Sequence, residues 1–120
     1  MNKVGKLERF EDLEVWKEAH KLALDIYKLT KDFPKEEKFG LVSQMRRAVV
    51  SIPANLAEGF KKRGLKDKSN FYNIAQGSTE ELRYYLILGK DLNYFSDNQE
   101  LINATEEIGR MLHGLIRSLQ

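Results

Sequence analysis

Residues 41–59 carry the pattern that decides the fold: Leu41-Val42-Ser43-Gln44-Met45-Arg46-Arg47-Ala48-Val49-Val50-Ser51-Ile52-Pro53-Ala54-Asn55-Leu56-Ala57-Glu58-Gly59. Leu41, Met45, Ala48, Val49, Ile52 and Leu56 recur at three- and four-residue steps, the spacing of one buried stripe on an α-helix. Gly59 is a natural C-terminal stop. Pro53 lies inside the run. Its missing N–H and its ring predict a kink near Val49. Val42 and Val50 fall off the stripe and read as surplus apolar surface.

The same spacing extends both ways. A first helix is expected from about Asp12 to about Lys31, with Val15, Trp16, Ala19, Leu22, Ala23, Ile26 and Leu29 on one side. Glu11 or Asp12 is its cap, with Phe10 stapled to Val15. Phe33-Pro34 breaks the chain, and Pro34 suits the first turn of the second helix. A third helix is expected from Asp67 or Ser69 to about Leu92, with the stripe Phe71, Ile74, Ala75, Ser78, Leu82, Tyr85, Leu86 and Gly89. Asp97 and Glu100 have the form of a capping box. A fourth helix then carries Leu101, Ile102, Thr105, Ile108, Met111, Leu112, Leu115, Ile116 and Leu119. Short connections make sequential helices antiparallel. The expected architecture is an all-α, antiparallel up-down-up-down four-helix bundle over residues 10–120, with residues 1–9 as a loose tail.

The chain has 120 residues, enough for one domain with a core of its own. It has no cysteine, which excludes disulfides, a cysteine nucleophile and a thiolate zinc site. No apolar stretch approaches a membrane span and none near the start resembles a signal peptide, so a cytoplasmic protein without membrane partners is expected. Neither His20 nor His113 is preceded three residues earlier by Glu, as a di-iron bundle requires. There is no Gly-x-x-x-x-Gly-Lys-Ser/Thr loop and no Gly-x-Ser-x-Gly elbow. The adjacent carboxylates Glu36-Glu37, Glu80-Glu81 and Glu106-Glu107 diverge around their helices, so each is a poor acid/base dyad. No enzyme, metal or cofactor is expected.

The formal net charge is +2, but residues 1–66 hold +5 and residues 67–120 hold −3. Lys61-Lys62-Arg63-Gly64-Leu65-Lys66-Asp67-Lys68 is the densest basic run. Such a run reads either as a solvated connection or as a phosphate-contacting patch. Tyr84, Tyr85, Leu86, Ile87 and Leu88 are consecutive. They point all round a helix, which suggests a subunit interface through Tyr84, Tyr85, Ile87 and Leu88. Gln44, Ser51, Asn55 and Glu58 on helix two, with Ser78 and Glu81 on helix three, have spacings that favour a shared polar cluster.

Gln44-Met45-Arg46-Arg47-Ala48, Ser51-Ile52-Pro53-Ala54-Asn55-Leu56-Ala57-Glu58-Gly59 and Ala75-Gln76-Gly77-Ser78-Thr79-Glu80-Glu81-Leu82 form a pattern. Phe10-Glu11-Asp12-Leu13-Glu14-Val15-Trp16 and Phe33-Pro34 complete it. Together they resemble the four-helix-bundle family first associated with intervening sequences in bacterial 23S ribosomal RNA genes. That family is similar to the accessory protein of diversity-generating retroelements, a basic pentameric barrel that partners a reverse transcriptase and nucleic acid. The resemblance implies an all-α bundle assembled as a ring-like homopentamer. It implies a structural polar cluster at Ser51, Asn55, Glu58, Ser78 and Glu81, not an active site. The expected function is a non-enzymatic oligomer that binds RNA or a ribonucleoprotein. Its phosphate contacts are expected at Arg46, Arg47, Lys61, Lys62, Arg63, Lys66 and Lys68. The competing reading is a protein-interaction scaffold with no direct nucleic-acid role.

Overall fold

Each apolar stripe is answered by a helix in the computed structural model, which describes residues 7–120. The helices are α1 (Glu14–Thr30), α2 (Leu41–Lys61), α3 (Leu65–Asp91) and α4 (Gln99–Arg117). They pack as the expected four-helix bundle, with α2 against α3 as the most extensive pairing. Residues 1–6 of the expected tail lie outside the described residues.

The buried side chains follow helical periodicity. Val15, Ala19, Leu22, Ala23 and Ile26 of α1 face the core, as do Ile102, Thr105, Ile108 and Leu112 of α4. The whole α2 stripe is buried, and so is Val42, which is therefore core and not surplus surface. Each fully buried Leu or Ile contributes about 1.5–3 kcal/mol relative to exposure.

On α3 the buried face is rotated from the expected one. Tyr72, Ala75, Thr79, Leu82, Leu86 and Gly89 are buried, whereas Ile74 is 51% exposed. Two local facts explain the rotation. A Cβ on Gly59 would stand 2.6 Å from the Tyr72 ring, so the bare glycine is what lets that ring seat against α2. Thr79 enters the core because its hydroxyl donates to the Ala75 carbonyl oxygen at 2.8 Å, which removes the cost of an unpaired buried polar group.

The helix ends also differ from expectation. Phe10–Asp12 form a 3-10 turn, and α1 begins only at Glu14. Asp12 caps backward, accepting from the N–H groups of Glu8 and Arg9 at 3.2 and 3.0 Å. Phe10 packs edge-on to Trp16 at 5.2 Å instead of stapling Val15. Pro34 leads into a separate 3-10 turn, Lys35–Glu37, and α2 starts at Leu41. Helix α2 runs two residues past Gly59, and α3 starts at Leu65. Only Lys62-Arg63-Gly64 separate them. Asp97 takes the Gln99 N–H at 3.0 Å, but the residue ahead of α4 is Asn98, whose amide donates to the Leu86 carbonyl at 3.1 Å.

One end of the bundle is closed by aromatics and a carboxylate. Helix α3 stops in a Schellman turn. The N–H of Tyr94 reaches the Gly89 carbonyl and that of Asn93 the Lys90 carbonyl, with Asn93 in the left-handed region at φ 64°. This turn places Tyr94 and Phe95 on Phe33, at ring separations of 5.3 and 6.0 Å. Tyr94 donates its hydroxyl to Glu37 at 2.6 Å, and Glu37 accepts the Leu41 N–H at 3.0 Å. The Tyr94 hydroxyl first, and the Leu41 N–H second, hold the Glu37 carboxyl below the usual carboxylate range.

Gly59→Ala will destabilise the fold by about 1–3 kcal/mol through overpacking. Gly77→Ala, with nothing within 4 Å of the new Cβ, will stabilise it by about 0.5–1 kcal/mol. Urea unfolding of both variants reads the opposite signs. Because the folded Glu37 carboxyl is shifted downward, its contribution is present above the ordinary glutamate range. It is lost as pH falls through the lower, folded value. Glu37→Gln will therefore show a smaller drop in urea midpoint between pH 7 and pH 3 than the parent protein.

Candidate functional site

The expected cations divide by what already engages them. Arg46 is held at the α1–α2 seam. Its Nε donates to Thr30 Oγ1 at 2.9 Å, its Nη2 to the Tyr27 carbonyl at 3.3 Å, and its guanidinium lies 4.4 Å from the Tyr27 ring centroid. Arg47 donates to Gln44 Oε1 at 3.3 Å. Both sit in the first two turns of α2, about 20 Å along the helix from Lys61. The structure therefore does not bring them together with the basic run.

Lys68 folds back from the first turn of α3. Its Nζ donates to the carbonyls of Phe60 at 2.7 Å and Gly59 at 3.3 Å. A cation there satisfies the open carbonyls at the C-terminus of α2 and opposes its dipole. Lys62 stands 5.2 Å from the Phe71 ring centroid and 3.9 Å from the Glu58 carboxylate. Lys61, Arg63 and Lys66 are exposed, and among the described residues none of the three forms an ion pair. The three-residue connection fixes these charges on a tight elbow at one end of the bundle.

The polar cluster is partly assembled. Ser51 Oγ accepts from Ser78 Oγ at 2.8 Å and from Asn55 Nδ2 at 3.0 Å, and Asn55 Nδ2 also reaches the Ser51 carbonyl at 2.8 Å. All three side chains are half-buried where α2 meets α3. Gln44, Glu58 and Glu81 are exposed and make no hydrogen bond to this trio. Glu81 acts instead on Tyr85: burial pushes that hydroxyl up, and the neighbouring carboxylate adds to the shift.

Of the apolar run on α3, Leu86 is fully buried and Tyr85 and Leu88 pack on the core. Tyr84 and Ile87 remain exposed, at 56% and 37%. Reading the sequence alone missed the Arg46–Thr30 and Glu37–Tyr94 pairs, because nothing in the spacing links residues 16 and 57 positions apart. Among the described residues no group of three or more His, Asp or Glu is placed to hold a metal, and no helix is long and apolar enough to cross a membrane.

The sequence matches the family described as 23S rRNA-intervening sequence protein over residues 11–114. The chain belongs to that family. Its fold is similar to a crystal structure from Bacteroides thetaiotaomicron, described as a protein of unknown function from the S23 ribosomal protein family. The two share 29% identity over 86% of this chain and 95% of the other, with a TM-score of 0.78. No curated protein matches the chain. The matched span includes the polar trio and the basic elbow.

The trio should behave as a coupled unit. In a double-mutant cycle, Ser51→Ala and Ser78→Ala will show a coupling of about 0.5–1.5 kcal/mol in urea unfolding. Additive losses would mean that the two hydroxyls do not hold α2 to α3.

Proposed function

We propose that this chain is a non-enzymatic, oligomeric helical protein that binds RNA or a ribonucleoprotein through the α2–α3 elbow. The observation that carries this reading is the set Lys61, Arg63 and Lys66, exposed within six residues and without an ion pair among the described residues. Lys68 and Arg46 already satisfy internal partners and serve the fold. Phosphate contacts of this kind bind with strong salt dependence and little sequence preference. Exposed Tyr84 and Ile87 on α3 support association of copies, and the resemblance supports five. Repetition of one elbow per subunit multiplies a modest patch through avidity.

Fluorescence anisotropy of a 20-nucleotide RNA across a salt series tests the reading. Changing Lys61, Arg63 and Lys66 together to Ala will weaken binding and make the salt slope shallower by about one per lost phosphate contact. An unchanged affinity and slope overturn it. Lys68→Ala will lower stability first, through the open end of α2. Light scattering should give a mass well above the 14.0 kDa of one chain; a monomer at high concentration overturns the oligomer. The scaffold reading is favoured by the same exposed Tyr84 and Ile87. It stands if a single protein partner is retained after nuclease treatment and Tyr84→Ala with Ile87→Ala releases it.

A further inference from the structure

An open groove of about 1200 Å³ runs between α3 and α4. At one end Arg83 Nη2 meets Glu106 at 3.4 Å. Farther along α3, Leu86 meets Asn98. Later residues of α4 thus lie beside earlier residues of α3, and Arg117, His113 and Gly114 flank the half nearest the elbow. Opposite them are Asn73, Gln76 and Gly77.

This half has a distinct chemistry. The groove's two carboxylates, Glu80 and Glu106, line the other half, and Arg83 engages Glu106. Arg110 is engaged by Glu107 at 2.7 Å. Arg117 makes no ion pair among the described residues. Gly77 and Gly114 have nothing within 4 Å of where a Cβ would stand, so the monomer's packing does not require either glycine. Lys66, Asn70, Asn73 and Gly77 recur at four-, three- and four-residue steps, one face of α3. The elbow cation is therefore continuous with the groove.

We propose that the elbow half of the α3–α4 groove binds single-stranded RNA. This rests on the RNA reading above and extends it from the elbow onto a track along the bundle. Charge complementarity selects the occupant: Lys66 and Arg117 are exposed, and neither forms an ion pair among the described residues, which leaves both cations available to phosphates. Asn73 and Gln76 present amide donors and acceptors to base edges, which only unpaired bases offer freely. The bare backbone at Gly77 and Gly114 admits a base at close range. A duplex is too broad to enter between two packed helices.

The test uses the full chain, a fluorescent 20-nucleotide RNA and the same sequence as a duplex. Gly77→Gln with Gly114→Gln fills the groove with good helix formers while leaving the elbow intact, and circular dichroism confirms folding. The expected result is about a tenfold loss of single-strand affinity in the filled variant, a further loss with Arg117→Ala, and weaker binding of the duplex by the parent protein. Three outcomes overturn the proposal. If the filled variant binds like the parent while the Lys61, Arg63 and Lys66 variant loses affinity, the groove fails and the RNA reading stands. If neither set alters binding, both fail. If filling the groove changes the assembly mass in light scattering and RNA affinity follows that change, the groove is a protein interface.

Discussion

The Tyr72 ring rests on the bare α-carbon of Gly59, and the rest of the bundle is set by that contact. A side chain of any size on Gly59 would hold α2 and α3 apart, since even a Cβ would stand 2.6 Å from the ring. With the two helices in close contact, Ser51 meets Ser78 one end to the other along the seam, and Lys68 reaches the last carbonyls of α2. The close seat also fixes which face of α3 looks inward. Tyr72, Thr79 and Leu86 follow the ring into the core, and Ile74 is left outside. The three-residue elbow is short because the helices it joins already touch at its base.

Much of this was legible in the residues. The stripes of α1, α2 and α4 match the structure because the residues on them are buried or packed on the core, with Val42 of α2 as an addition that the stripe leaves out. Helix α3 was misread for a physical reason. Counting apolar residues prefers Phe71 and Ile74 to Tyr72 and Thr79, but Thr79 is admitted by its own hydrogen bond and Tyr72 by a glycine on another helix. Neither condition is a property of α3 itself. Helix starts were misplaced for a related reason. Asp12 and Glu37 use their carboxylates on N–H groups that become available only after the chain has turned.

The polar positions show the same division. Ser51 and Asn55 are four apart on one helix, so their contact follows from helical spacing. Ser78 joins them because the α2–α3 register brings it there. Gln44, Glu58 and Glu81 have suitable spacing too, but remain outside the trio. Among the cations, charge density singles out the elbow but does not distinguish a lysine that caps a helix from one that faces solvent. Lys66 and Lys68 are two positions apart, and one is exposed while the other closes α2. Position along a helix, not the amount of charge, separates a structural cation from one open to a partner.

The glycines of α4 carry a consequence for the bundle's motions. Gly109 and Gly114 each weaken helix formation by about 1 kcal/mol relative to Ala. They stand in a helix of only 19 residues, so the C-terminal half of α4 has little intrinsic tendency to remain wound. Tertiary contacts through Leu112, Leu115 and Ile116 supply what the backbone lacks. That half is therefore a local unit whose opening costs less than global unfolding. Amide exchange at residues 109–117 becomes a native gauge of how firmly the α3–α4 face is held.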